Sequence, residues 1–181
     1  GIPLIVWVLT NFDYQRNDTI NIVVQRDSFD TLSLDKYVSA LPVQPNFIYL
    51  EEITDGAART VVKFEGVLDT SDLSSTVVVD PAAQASVDPT GSNYLKATKY
   101  RIDKIIHNIE DGISVNFFWD ATTPVRIEEL TGRGKGDYRD FGGLQNNAGA
   151  GVTGKITATT QGWSASAVLS FSVILYLTKQ F

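Results

Sequence analysis

Apolar and polar positions alternate with a period of two through most of this chain, and almost nowhere with the period of a helix. Tyr100, Ile102, Lys104 and Ile106 run into Asp111-Gly112, after which Ile113, Val115, Phe117 and Trp119 alternate with Ser114, Asn116 and Phe118. Alternation of this kind puts one set of side chains on one face of a strand. An Asp-Gly step between two such runs is the sequence signal of a tight hairpin. Trp119 shares its face with Ile113, Val115 and Phe117, so the core is its expected home. A last strand pair is expected over 155–161 and 168–177, after a glycine-rich loop at 132–154.

The first half carries the same signal less regularly. Residues 2–10 are rich in β-branched and large apolar side chains, which suits a strand buried on both faces or an arm lying on a partner. Turn residues follow at 11–18, then strand-like runs at 19–25 and 28–34. Pro42 and Pro45 break the chain before a strand at 46–53, Asp55-Gly56 ends it, and 60–67 returns, so 46–67 is expected to be a hairpin. A short β-branched run stands at 76–79, and 81–87 can make one helical turn with Asp80 as cap and Pro81 at the first helical position. No window of useful length places apolar residues at i, i+3, i+4 and i+7, and nothing repeats at a fixed period. The expectation is a single all-β domain over 1–181, an antiparallel β-sandwich or a jelly-roll-like barrel. It carries an extended N-terminal arm or strand within 1–17 and a long glycine-rich loop.

Composition narrows the function classes. With 181 residues, 43% hydrophobic and 20% charged, the chain can bury one substantial core. A net charge of −6 argues against a general nucleic-acid binder, which needs a basic face to neutralise phosphates. There is no cysteine, so no disulfide or thiolate metal site is possible, and stability has to come from packing or assembly. The apolar opening 2–9 is shorter than the roughly 20 residues of a membrane span and lacks a charged leader, so neither a signal peptide nor a membrane helix is expected there.

Candidate chemistry is sparse. His107, the one histidine, lies mid-strand, no Gly-x-Ser-x-Gly elbow accompanies it, and a structural role is the simpler account. One histidine and no cysteine leave little for zinc or other first-row metals. Glu51-Glu52, Glu128-Glu129 and Trp119-Asp120 invite a glycosidase reading, but adjacent residues on a strand point to opposite faces and cannot act together. Asp13, Asp18, Asp137 and Asp140 could offer oxygens to calcium, yet their spacing matches no calcium loop. The run 131–138 has glycines and Lys135, but no Ser or Thr follows the lysine and no helix starts there, so it is not a phosphate loop. No catalytic residue, cofactor or metal is expected, and the chain is not expected to be an enzyme.

What remains is a pair of sticky features. The loop 132–154 holds eight glycines, so it can lie against a neighbour's surface, and its apolar anchors Tyr138, Phe141 and Leu144 need either the protein's own core or another subunit. The N-terminal Ile2, Leu4, Val6, Trp7 and Val8 are of the same kind, costly to expose and suited to strand addition or arm exchange. Trp163, just after Gly162 at an expected turn, is a further contact candidate.

The succession Trp119-Asp120-Ala121-Thr122, Gly132-x-Gly134, Asp140-Phe141-Gly142-Gly143-Leu144, Gly151-x-Thr153-Gly154 and a final strand ending in Lys179 resembles small all-β virion structural proteins of tailed bacteriophages, particularly those of cyanobacterial and marine hosts. The resemblance spans about residues 94–181. It implies a capsid decoration or cement protein in the phage head, present in many copies, often as a homotrimer. Its partner would be the major capsid protein lattice, with no catalytic residues to transfer and no nucleic-acid or membrane partner. A tail or fibre protein is the nearby alternative. From a different class comes a carbohydrate-binding β-sandwich module, with Trp7, Trp119 and Trp163 as candidate stacking platforms.

Overall fold

The computed structural model describes residues 21–25, 46–56, 58–84, 96–165 and 167–181. The N-terminal candidates Ile2, Leu4, Val6, Trp7 and Val8, the runs 2–10 and 28–34, and the end of the expected helical turn at 85–87 lie outside them. The described chain is all-β, two sheets packed face to face, and it does not close into a barrel. Its strands are β1 (Asn21–Gln25), β2 (Asn46–Asp55), β3 (Arg59–Leu68), β4 (Thr76–Val79), β5 (Lys99–Ile109), β6 (Ser114–Trp119), β7 (Val125–Leu130), β8 (Arg133–Asp137), β9 (Ile156–Gln161) and β10 (Leu169–Gln180). One sheet runs β1-β2-β3-β10-β5-β8 and the other β4-β9-β6-β7. Every pairing is antiparallel except β1 with β2.

The period-two pattern maps directly onto burial. Along β10, Phe171, Val173, Leu175 and Leu177 are buried and meet Phe64, Tyr100, Ile102 and Ile105 of the neighbouring strands in one core with Val115, Phe117 and Trp119 of the facing sheet. Phe64 stacks edge-on against Phe117 at 6.0 Å and tilted against Phe171 at 4.9 Å, joining the two sheets. Trp119 is 2% exposed, so it is core and not a platform.

Two expected hairpins are corrected. The segment 46–67 does form β2 and β3 as a hairpin. The Asp111-Gly112 turn, however, joins β5 in the larger sheet to β6 in the smaller one, and 162–168 carries β9 across to β10 in the same way. Both are arches. Gly112 has φ 101°, and Gly162, with φ 108°, packs its Cα against the Gly112 carbonyl, so the two arches stack on each other. A hairpin lays both apolar faces on one side of a sheet, whereas an arch sets them face to face across the core. Both arrangements need the same alternating sequence.

The crossover from β3 to β4 is held by buried polar groups. Asn46, fully buried, accepts from the Asp69 and Thr70 amides at 2.9 and 3.1 Å and donates to the Ser71 carbonyl at 3.0 Å. Asp72 accepts from Thr160 Oγ1 at 3.0 Å and from the amides of Gly162 and Trp163, tying this crossover to the β9–β10 arch. Asp80 caps the turn after β4 as expected, accepting from the Ala82 amide at 2.9 Å, and 81–83 form a turn. The glycine-rich stretch is not all loop. Residues 133–137 form edge strand β8 on β5, followed by a single 3-10 turn at Arg139–Phe141.

Candidate interaction surface

The corner where β8 gives way to the 3-10 turn brings together residues far apart in sequence. It begins at a bulge. Tyr176 pairs with Lys104 and Leu177 with Ile102, leaving Asp103 as an extra residue in β5. Its carbonyl accepts from the Tyr138 amide at 2.9 Å, which fixes the end of β8. The Asp103 side chain, 9% exposed, accepts from Arg101 Nε at 2.7 Å and from Thr178 Oγ1 at 2.6 Å. Burial pushes its carboxyl up, but the Arg101 and Thr178 hydrogen bonds and the Arg101 and Arg59 charges outweigh that and hold it below the usual value.

Around this carboxylate the turn 138–144 is locked. The Tyr138 carbonyl accepts from the Phe141 and Gly143 amides at 3.0 and 2.8 Å, and the Arg139 carbonyl from the Gly142 amide at 3.1 Å. Gly142 and Gly143 take φ 82° and 76°, a left-handed pair that reverses the chain, and Gly143 lies directly over the Arg101 stem. Leu144 then exchanges two backbone hydrogen bonds with Ile102, at 2.8 and 3.0 Å. At the apex of this rigid turn Phe141 is 87% exposed.

Of the expected anchors, the structure gives Tyr138, Leu144 and Trp163 to the protein's own core and leaves Phe141 outside. Tyr138 folds back over Gly136, and its hydroxyl donates to Glu128 of β7 at 3.3 Å, linking one edge of each sheet. Burial, with the Glu128 charge, raises the Tyr138 hydroxyl above its ordinary value. His107 lies over Gly134 in the same way. Trp163 is half-buried, and its indole N–H donates to the Ala167 carbonyl at 2.8 Å. Leu144 is half-buried against the core.

Beside the turn is a notch of about 110 Å³ lined by Arg59, Asp103, Lys104, Arg139, Tyr176 and Leu177. Arg139 grips Asp137 with two nitrogens, at 2.8 and 2.6 Å; that hydrogen bond, outweighing partial burial, holds the Asp137 carboxyl at about 2. Lys104 Nζ sits 4.7 Å over the Tyr176 ring. Neither Arg59 nor Lys104 has a carboxylate within ion-pairing distance among the described residues. This basic cluster was invisible in the sequence, because only the bulge and the strand order bring positions 59, 104 and 139 together.

The acids considered for catalysis do not converge. Glu51 and Glu52 are both exposed, Glu128 is engaged by Tyr138, and Glu129 pairs with Arg126 at 3.0 Å. Of the calcium candidates, Asp137 is held by Arg139, Asp140 is exposed, and Asp13 and Asp18 lie outside the described residues. Among the described residues no cluster of three or more metal-ligating side chains forms. No helix of the described residues is long and apolar enough to cross a membrane. The chain matches no protein-family model, no curated protein and no solved structure.

Proposed function

We propose that this chain is a virion structural protein of the capsid decoration type. It docks on the phage head lattice through the turn 138–144 and stabilises the lattice by bridging neighbouring subunits. The observation that carries the reading is Phe141, held 87% exposed on a turn closed by six backbone hydrogen bonds counting the Tyr138 amide. A flexible loop could tuck such a ring away, but this one is built to hold it out. Leaving a phenyl ring in water forfeits roughly 1.5–3 kcal/mol that burial in a partner recovers. Arg139, on the same turn, is of the residue type enriched among interface anchors. The bacteriophage resemblance at 94–181 supports the same reading, and a closed homotrimer fits the symmetry such lattices offer. The test is co-sedimentation of the purified chain with phage heads that lack it. Saturable binding at a fixed ratio to the capsid protein is expected; a chain that stays in the supernatant at all concentrations contradicts the reading.

A carbohydrate-binding module is the second reading, and one feature favours it. A groove of about 470 Å³ crosses the outer face of the larger sheet, lined among others by Tyr49, Glu51, Lys63, Asn108 and Ser172. Tyr49 is the stacking platform this groove offers, in place of the buried Trp119. Binding of the purified chain on a broad glycan panel, lost in Tyr49→Ala, supports this reading, and indifference to the panel removes it.

A further inference from the structure

We propose that the notch beside Phe141 is a carboxylate-binding site, which receives an acidic side chain from the protein on which the turn docks. The inference rests on the docking reading and names the chemistry of its partner. Three observations converge on it. Arg59 and Lys104 are two cations with no carboxylate partner among the described residues, placed at one notch in a chain of net charge −6. A chain with excess acid that leaves two cations unpaired at one place has a local field of opposite sign to its overall charge, which attracts an anion and orients its approach. Second, the one carboxylate in the notch, Asp103, takes its hydrogen bonds from Arg101 and Thr178, so although its charge is felt at Arg59 it leaves the donors of Arg59 and Lys104 to an incoming acceptor. Third, the notch, about 110 Å³, has room for a carboxylate and its stem.

The surroundings favour a peptide side chain over a free phosphate. The Tyr176 ring gives the notch an apolar wall that a methylene stem can cover. Phe141 stands on the turn that supplies Arg139, so one partner segment can offer an acid to the notch and an apolar pocket to the ring. The guanidinium of Arg59 can take a carboxylate with two parallel hydrogen bonds, and Lys104 adds a point charge from β5, across β10 in the same sheet.

The experiment has two arms. In the first, the isolated protein is titrated with acetate, N-acetylglutamate amide and inorganic phosphate while amide and arginine side-chain resonances are followed. Saturable shifts at Arg59 and Lys104 with the carboxylates, at roughly millimolar concentration as befits a single ion pair, are expected. They should vanish in the double variant Arg59→Gln/Lys104→Gln, whose melting temperature stays near that of the parent. No saturable shift, equal shifts in the double variant, or a preference for phosphate overturns the proposal. In the second arm the double variant is sedimented with phage heads. Binding is expected to weaken roughly tenfold and to lose its salt sensitivity, because screening acts on the removed pairs. Unchanged lattice binding overturns the carboxylate site while leaving the docking reading intact. Saturable carboxylate shifts in a chain that never binds heads keep the site and remove the docking reading.

Discussion

Phe141 touches nothing it needs for folding, so Phe141→Ala is expected to change stability by about 0.5 kcal/mol or less, while lattice binding falls by roughly 2 kcal/mol or more, as at a hot-spot residue. Thermal melting and co-sedimentation measured on the same preparation check both halves. Asp103 is the opposite case. Asp103→Asn leaves Arg101 and Thr178 with a weaker acceptor and is expected to cost about 1–3 kcal/mol. The folded-state value of Asp103 lies below its ordinary 3.8, so its contribution is fully present above that pH and is lost as the pH falls through the lower folded value. Melting curves of parent and variant should therefore differ at neutral pH and converge in acid; a gap that persists at the lowest pH contradicts the assignment. At this scale the sequence showed which residues were apolar, and Phe141, Tyr138 and Leu144 were all singled out. It did not show which would find a home, because that depends on whether the turn folds back (Tyr138, Leu144) or out (Phe141).

Strand β8 shows how an element is shaped by its neighbours' side chains. Its glycines are spacers: a Cβ on Gly134 would come within 2.6 Å of His107 Cε1, and one on Gly136 would meet the Tyr138 hydroxyl. Gly136→Ala should displace Tyr138 from its bridge to Glu128 and destabilise by about 1–3 kcal/mol. Gly149→Ala, where a Cβ meets nothing within 4 Å, should be close to neutral. Urea denaturation of the two variants separates them, and equal stabilities would refute the spacer role. Element type was largely legible: β2, β3, β5, β6, β9 and β10 lie where the alternation put them. Strand β8 was missed because Arg133, Gly134, Lys135, Gly136 and Asp137 carry no apolar period, its role being edge pairing and clearance. Pairing was legible only for β2 with β3. The Asp-Gly at 111–112 bends the chain between sheets, and periodicity cannot tell a hairpin from an arch.

For the whole molecule, the sandwich is tied at the end of β10 by a buried ion pair. Lys179 falls on the inward face of its strand and is fully buried; its Nζ lies 2.6 Å from Asp55 Oδ1, which also accepts from Thr60 Oγ1 at 2.6 Å. Lys179→Met alone removes the cation that balances a buried carboxylate and should cost roughly 3–5 kcal/mol, whereas Lys179→Met with Asp55→Leu should recover most of the loss. Chemical denaturation of the two variants checks this, and a double variant no more stable than the single contradicts it. Two of the four sheet edges are defended. Edge strand β8 carries Arg133 and Lys135, and β7 carries the exposed pair Arg126 and Glu129, so chain-to-chain strand addition is disfavoured along both. The most direct measurement is photo-crosslinking with a benzoylphenylalanine at position 141, and at position 77 on edge strand β4 as control, in the presence of phage heads. Crosslinks from 141 to the capsid protein, with none from 77, are the predicted result; crosslinks from 77 alone, or from neither, contradict the account.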